Sequence, residues 1–277
     1  MRPTARVRQN PVIRTTAKLC RQYLKWFGNA SYKFERNGER WLLATLSSEP
    51  IRTVLDVGAN DGRWSQMAAE LFPAATIYAL EIVPDTAAVL RSRVGQHDRI
   101  KSYNLGLAAH TGTLPVRYYQ PASRHSTYID FPRSWTGEWI DCPVMRGDEF
   151  LAQEAIREID FLKLDVEGAE HLVLQGLEAQ LRARAVRFVQ FEYGQKDIFT
   201  HFLLRDFYQL FAAYGYTVGK IFPDYVEFRE YHLNDEDFIG PNYLACPAGD
   251  SAIRRLAGPG WRGGTAEVRS PPRSAVK

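Results

Sequence analysis

The sequence lacks the features that define several classes of protein. No apolar run approaches the roughly 18 residues that cross a membrane, so we expect no membrane span. The basic N-terminus contains no apolar signal core, which favours a cytoplasmic protein. Only three cysteines are present, and Cys20, Cys142 and Cys246 lie far apart. This number and spacing argue against a disulfide framework and against a cysteine metal site.

The charge is distributed unevenly along the 277 residues. Residues 1–40 carry ten Lys and Arg against two Asp and Glu, and residues 248–277 carry six against two. The rest of the chain is therefore acidic, because the whole has a net charge of only +3. Nucleic-acid-binding proteins cluster basic residues on a folded face, so we expect no nucleic-acid partner. We predict a disordered basic arm at 1–14 and a disordered tail at 248–277, which is rich in Gly, Pro, Ser and Arg.

Apolar periodicity divides the remainder into a helical cap and an α/β domain. Within residues 15–49 the spacing predicts two amphipathic helices, broken near Gly28 and Asn29. Residues 50–247 then alternate between strands and helices, which predicts a mostly parallel sheet with helices on both faces. Residues 106–147 break this rhythm and predict a β insertion between the third and fourth strands. The strands are expected at 53–57, 76–81, 99–105, 159–165 and 186–192, and near 216–222 and 241–246.

A glycine loop follows the first of these strands. Residues 54–62 read Val-Leu-Asp-Val-Gly-Ala-Asn-Asp-Gly, a buried strand and a turn before a helix, as in a nucleotide-type site. Asp56 and Asp61 would repel a pyrophosphate, and Asn60 replaces a glycine of the dinucleotide fingerprint. S-adenosylmethionine (SAM) carries an ammonium and a sulfonium but no phosphate, and it suits these acids better. An NAD-type oxidoreductase and a non-catalytic SAM-binding protein are the alternatives.

Acidic residues end four of the predicted strands, at the sheet edge where ligands bind in open parallel sheets. Glu81 lies about twenty residues after the glycine loop, where an acid binds ribose hydroxyls, although a contact capping the next helix is an alternative. Asn104 and Leu105 are expected near the adenine. The predicted cofactor-binding residues are Asp56, Gly58, Ala59, Asn60, Asp61, Gly62, Glu81, Ile82, Asn104, Leu105 and Asp165.

These motifs resemble those of the FkbM-type SAM-dependent methyltransferases. The resemblance rests on the stretch from Asp56 to Gly62 and on the longer, more specific stretch from Asp160 to Glu170, Asp-Phe-Leu-Lys-Leu-Asp-Val-Glu-Gly-Ala-Glu. Phe191-Glu192 and residues 242–247 also match, and the similarity covers about residues 50–247. It implies the class I (Rossmann-like) methyltransferase fold with a seven-stranded sheet, and O-methylation of a small molecule, sugar or natural product.

Methylation of an alcohol needs either a base or a metal that lowers the pKa of the hydroxyl. We predict Asp165, Glu192 and His171 as catalytic residues. In one reading a divalent ion, Mg²⁺ or Mn²⁺, is held by Asp165, Glu167 and Glu192. The favoured interpretation has no metal, because a cationic cofactor already explains why acidic residues end these strands. His125 could line the pocket of a small-molecule or glycan acceptor or lie in a surface loop. The aromatic residues of the insertion could stack on the acceptor or form the insertion's own small core; they are Tyr118, Tyr119, Tyr128, Phe131, Trp135 and Trp139. The acceptor and the oligomeric state stay open.

Overall fold

The computed structural model describes residues 4–119, 126–129, 137–258 and 261. His125, Phe131, Trp135 and most of the expected tail lie outside these residues. The described chain forms a large sheet with helices on both faces, a small second sheet and an N-terminal helical region. The main-sheet strands are β1 (Thr53–Val57), β2 (Thr76–Leu80), β3 (Ile100–Tyr103), β7 (Ile159–Leu164), β8 (Val186–Glu192), β9 (Tyr216–Ile221), β10 (Val226–Phe228) and β11 (Asn242–Pro247).

The main sheet has the order β10-β9-β11-β8-β7-β1-β2-β3. Strands β3, β2, β1, β7 and β8 are parallel to one another, whereas β11 runs antiparallel to both β8 and β9. This is the class I methyltransferase fold. Eight strands are present instead of the expected seven, because the short β10 pairs with β9 at one edge. The two strands expected near 216–222 and 241–246 are β9 and β11, which pair antiparallel near this edge, with β11 between β8 and β9.

Helices cover both faces of this sheet, because its parallel strands are apolar on both sides. One face packs against α3 (Glu39–Leu46), α4 (Arg63–Leu71) and α5 (Pro84–Val94). The other face packs against α6 (Gly147–Gln153), α7 (Glu170–Gly176), α8 (Glu178–Arg182) and α10 (Leu204–Ala213). Helices α7 and α8 follow one another almost directly, and the short α9 (Asp197–Thr200) precedes α10.

The predicted β insertion forms a separate three-stranded sheet. Its strands β4 (Gly106–Ala108), β5 (Gly112–Tyr118) and β6 (Glu138–Arg146) have the order β4-β6-β5. Val116, Tyr118 and Cys142 form its own small core together with Val83 from the main domain. The insertion therefore packs beside the carboxyl end of β2, where Val83 lies.

The N-terminal region departs from expectation in two ways. The arm predicted to be disordered contains α1 (Ala5–Gln9) and the start of α2 (Pro11–Phe27), because Thr4 and Asn10 accept N-capping hydrogen bonds. The helical cap predicted within residues 15–49 packs on the body only in part, because no residue of α2 is buried. Only α3 enters the core, where Leu42, Leu43 and Leu46 are buried.

The chain after β11 also departs from expectation. Residues 248–258, predicted to be part of a disordered tail, include α11 (Ile253–Leu256). Ile253 and Leu256 are buried in the same core face as α3, and Asp250 accepts a hydrogen bond from Arg187 at 2.7 Å. The low average hydropathy of the tail predicted disorder, but two apolar residues suffice to anchor a single helical turn. Among the described residues, no helix is both long enough and apolar enough to cross a bilayer.

Candidate active site

A cavity of about 700 Å³ opens at the carboxyl ends of β1, β2, β7 and β8. Gly58, Glu81, Asp165 and Glu192, which follow or end these four strands, line it. Parallel strands bring their carboxyl ends to one edge, which is why residues so distant in sequence converge here. The N-terminal region and the insertion sheet complete its wall, with contributions from Lys25, Ala30, Tyr32, Leu114 and Val116.

The glycine loop forms the floor of this cavity. Gly58 has φ +85°, and a Cβ at this position would collide with the carbonyl oxygen of Asp165. Glycine is therefore required by the close approach of the β1 and β7 ends, independently of any ligand. The amides of Gly58 and Ala59 both donate to the carbonyl of Leu80 at 2.9 Å. These two amides are thus occupied within the protein and fix the loop against β2.

Glu81 lies at the cavity wall and holds the loop as well. Its two carboxylate oxygens accept hydrogen bonds from the amides of Asn60 and Val83, each at 2.9 Å. Val83 is the N-cap residue of α5, and this helix has no side-chain cap hydrogen bond, so Glu81 fixes the turn before α5 and does not cap its first turn. Burial raises the pKa of Glu81 to about 7, although the two amide donors act in the opposite direction.

The residues expected near an adenine divide into two groups. Ile82 and Leu105 line the cavity, together with Leu107. Asn104 is not among the lining residues. Its side-chain amide donates to the carbonyls of Glu81 and Ile82 at 3.0 Å each. Asn104 therefore fixes the segment that carries Glu81 and Ile82.

A buried lysine connects two of the predicted acids. Lys163 pairs in register with Asp56 across β1 and β7, and its ammonium nitrogen lies 3.4 Å from Asp56 and 3.1 Å from Asp165. Asp56 also accepts a 2.6 Å hydrogen bond from Ser65 and is wholly buried, so it lies beneath the cavity and not at its wall. Burial lowers the pKa of Lys163, but the carboxylates of Asp165, Asp56 and Glu39 together raise it above its ordinary value.

The polar contacts continue across the sheet toward β11. The amide nitrogen of Gln190 donates to Glu39 at 2.8 Å and to Asn242 at 3.1 Å. Asn37 donates to Glu39 at 2.6 Å, and burial raises the pKa of Glu39 despite these donors and Lys163. The result is a buried polar row beneath the cavity, formed by Asp56, Lys163, Glu39, Gln190 and Asn242.

Several acids at the cavity wall have raised pKa values. Burial raises the pKa of Glu192 well above its ordinary value, and the neighbouring Asp165 and Glu170 raise it further. Glu170 has its pKa raised by burial and by Asp197. Burial also raises the pKa of Asp197 to about 7. Acidic side chains are thus concentrated in a partly enclosed space, and a cationic ligand bound there would favour their ionised forms.

Other predicted residues are not brought to the cavity wall. His171 stacks against Phe202 with ring centroids 5.2 Å apart, and burial lowers its pKa. It is absent from the residues that line the cavity. Asp61 forms 3.1 Å ion pairs with Arg63 and Arg93. The alternative metal ligands Asp165, Glu167 and Glu192 line the cavity, but no group of three or more His, Cys, Asp or Glu among the described residues is arranged to hold a metal ion.

Sequence reasoning missed several residues of the site, and three of them illustrate why. Lys163 could have been found, because a lysine flanked by apolar residues in a predicted buried strand requires an acidic partner. Asp197 follows the end of β8 by five residues and carries no comparable signal. Tyr32 reaches the cavity from outside the α/β domain, and only the folded chain brings it there.

A family model described as the methyltransferase FkbM domain matches residues 56–218. This region contains the glycine loop and the acidic ends of β2, β7 and β8. The chain belongs to the FkbM methyltransferase family. It is a SAM-dependent methyltransferase, and this membership excludes the NAD-type oxidoreductase that the glycine loop also allowed.

Several methyltransferases are similar to the chain at low identity. The 2-O-methyltransferase NoeI of Sinorhizobium fredii is 25% identical over 57% of this chain and 69% of the relative. The methyltransferase sdnD of Sordaria araneosa is 28% identical over 50% and 64%. The 31-O-demethyl-FK506 methyltransferase FkbM of Streptomyces tacrolimicus is 27% identical over 47% and 60%. The chain thus spans somewhat under two thirds of the last two relatives.

Two solved structures are also similar to the chain, at low sequence identity. A methyltransferase FkbM from Methylobacillus flagellatus has 15% identity and a TM-score of 0.45, over 71% of this chain and 44% of that one. The cofactor-bound Rv0187 from MTB has 12% identity and a TM-score of 0.45, over 89% and 98%.

Proposed function

We propose that this FkbM-family enzyme methylates a hydroxyl oxygen of a small molecule or glycan. The observation that carries the proposal is the convergence of Glu81, Asp165 and Glu192 on one cavity of about 700 Å³. Such a volume is within the range of small-molecule sites. The names of NoeI and of the FK506 enzyme, which specify O-methylation, support an oxygen acceptor.

The donor set of the cavity fits SAM. Glu81 retains acceptor capacity beyond its two amide contacts, so it would take the ribose hydroxyls. Ile82 and Leu105 would provide apolar contacts to the adenine. Asp165, oriented by Lys163, would accept from the amino group. When bound, SAM supplies an electrophilic methyl group.

Glu192 is our candidate for the group that takes the proton from the acceptor hydroxyl. It lies at the cavity wall, and its raised pKa makes it a stronger base than an ordinary carboxylate. A cation bound beside Glu192 favours its ionised form, because opposite charges favour ionisation. Cofactor binding would therefore favour the form of Glu192 that accepts a proton.

No metal ion is needed to explain why acidic side chains line the cavity, and we retain the hypothesis of a metal-free reaction. Asp165 is already engaged by Lys163, and Glu167 forms an ion pair with Lys196. Each of these acids thus has a cationic partner from the protein. The acceptor would reach the cavity beside Tyr32 and Tyr128, whose rings line it.

The test combines binding and turnover in the full-length protein. Calorimetry with S-adenosylhomocysteine measures cofactor binding, and methyl-labelled SAM with a panel of sugar and polyketide alcohols measures transfer. We expect Glu192→Gln to retain cofactor affinity and to lose about 10²- to 10⁴-fold in turnover, the range for a general base. Glu178→Gln, on the exposed helix α8, is the matched control and should have normal turnover.

Three results would contradict the proposal. Failure to bind S-adenosylhomocysteine removes the cofactor assignment. Normal turnover in Glu192→Gln removes Glu192 as the base. Activity that is lost in EDTA and restored by Mg²⁺ would replace the metal-free reading with the metal-assisted one.

A further inference from the structure

Helix α2 presents an apolar surface that nothing in the described chain covers. None of its 17 residues is buried. Val12, Leu19, Trp26 and Phe27 are 65–73% exposed. Isolated exposed apolar residues are ordinary, but a contiguous set on one helix marks a binding surface.

The basic and the apolar side chains of α2 lie on opposite sides of the helix. At 100° per residue, Arg14, Lys18, Arg21 and Lys25 fall within an arc of about 60°. The apolar residues occupy the opposite half of the helix. They are Val12, Ile13, Leu19, Tyr23, Leu24, Trp26 and Phe27.

The charge on this region has one sign. Residues 1–34 contain eight Lys and Arg and no Asp or Glu. The polar side of a water-exposed helix commonly carries acidic and basic residues at positions i and i+4. Helix α2 has no such pairs, because it contains no acidic residue. A purely cationic polar side instead complements an anionic surface.

The width of the apolar half distinguishes a bilayer from a partner helix. Trp26 and Leu24 lie at its two margins, about 160° apart. A second copy of α2 would cover only a narrow seam and leave one margin exposed. A bilayer surface covers the whole half in one step, and long basic side chains reach back to the lipid headgroups.

The aromatic residues of α2 are gathered at its C-terminal end. The ring centroids of Tyr23 lie 5.7 Å from Trp26 and 6.2 Å from Phe27. Tyr and Trp favour the membrane–water boundary because their rings are apolar and their polar atoms stay hydrated.

This aromatic end is the end attached to the active site. The buried amide of Asn29 donates to the carbonyls of Asn37 and Ile221 at 2.8 and 2.9 Å. Gly28 packs so closely that a Cβ there would lie 2.6 Å from Ile239. Lys25 and Ala30, on either side of this anchor, line the cavity.

We propose that α2 binds the surface of a bilayer rich in anionic lipid, with its apolar half at the acyl boundary. The helix lies along that surface, and the anchor at Asn29 holds the mouth of the cavity beside it. The docking is independent of the methyl-transfer chemistry, so a binding measurement tests it alone.

The experiment is sedimentation of the full-length protein with two kinds of vesicle, phosphatidylcholine alone and phosphatidylcholine mixed with phosphatidylglycerol. We expect binding to the mixed vesicles, weakened by added salt, and little binding to the neutral ones. The double variants Lys18→Gln/Arg21→Gln and Leu19→Ser/Phe27→Ser should each lose at least about tenfold in vesicle affinity. Their melting temperatures should be unchanged, because α2 has no buried residue.

Matched controls use exposed residues elsewhere on the body. Arg91→Gln/Arg254→Gln removes the same charge, and Leu233→Ser removes an apolar residue that is 79% exposed. Both should bind vesicles normally. Equal binding to both kinds of vesicle, no binding to either, or normal binding by the α2 variants would overturn the proposal. A dimer in light scattering that Leu19→Ser/Phe27→Ser abolishes, without vesicle binding, would assign the surface to a second copy instead.

Discussion

Lys163 places its ammonium nitrogen 3.4 Å from the carboxylate of Asp56, and solvent reaches almost none of either side chain. A buried acid of this kind is tolerated only with a partner, since an isolated charge loses its hydration. Lys163 also contacts Asp165 at the cavity wall. One ammonium group therefore compensates the buried carboxylate of Asp56 and also fixes the position of a residue of the site.

Replacing Lys163 by Met should therefore destabilise the fold strongly. The change leaves Asp56 buried without its cation, for which we expect a loss of about 3–5 kcal/mol in the free energy of unfolding. Lys101→Met is the control, because Lys101 pairs with Glu154 on the surface and should cost no more than about 1 kcal/mol. Urea unfolding of both variants measures the difference. Equal midpoints would mean that Asp56 is neutral in the fold.

Glu81 should make stability depend on pH. Its pKa is raised to about 7, so the folded protein binds a proton there that the unfolded chain releases near its ordinary value of 4.5. This contribution is fully present below pH 4.5 and is lost as the pH rises through 7. The unfolding free energy measured between pH 5 and pH 8 should fall less in Glu81→Gln than in the unaltered protein. A parallel pH dependence in both proteins would remove Glu81 as its source.

Cofactor affinity should also depend on Glu81. Glu81→Ala removes charged hydrogen-bond acceptors from the cavity wall, and we expect a loss of about 1–3 kcal/mol in S-adenosylhomocysteine binding by calorimetry. Glu70→Ala, at an exposed position on α4, is the control and should bind normally. Unchanged affinity in Glu81→Ala would show that the ribose is held elsewhere.

Gly58→Ala tests whether the glycine is needed by the protein itself. The added methyl group meets the Asp165 carbonyl and must adopt a positive φ, so we expect a greatly lowered melting temperature. Two controls separate the causes. Gly249→Ala requires φ +91° in open space, and should cost about 1 kcal/mol. In Gly194→Ala the added Cβ meets no described atom within 4 Å and the residue needs no positive φ, so the melting temperature should be nearly unchanged. A melting temperature of Gly58→Ala close to that of Gly249→Ala would show that the loop can yield.

The segment after β11 should contribute to stability. Leu256 is fully buried against the α3 side of the sheet, so Leu256→Ala should cost about 2–5 kcal/mol. Arg254→Ala, on the exposed side of the same helical turn, should change little. Chemical denaturation compares the two. Equal stability would indicate that α11 is only loosely packed.

The sequence predicted the main sheet well because its signals are local. Short apolar runs, a glycine loop and acids at the strand ends each follow from neighbouring residues. The fate of α2 could not be predicted in this way. An amphipathic pattern establishes that one side of a helix is apolar, but not whether the body, a membrane or another chain covers it. Tertiary packing decides that, and it buried α3 while leaving α2 exposed.

The role of Asp56 shows a second limit. Its position at a strand end indicated the cavity, yet its side chain points to the face occupied by Val54 and lies beneath the site. The alternation of side chains along β1 predicts which residues share a face with Asp56, but it does not tell which face of the sheet borders the cavity. The same alternation places Lys163 beside it.

Lys25, Ala30 and Tyr32 line the cavity although they precede the family region, which begins at residue 56. Part of the cavity wall thus lies outside the region that the family model matches. Two enzymes could share every residue from 56 to 218 and still admit different acceptors, because their N-terminal segments differ. Transplanting the first 49 residues between family members is therefore a route to altered selectivity that leaves the catalytic domain untouched.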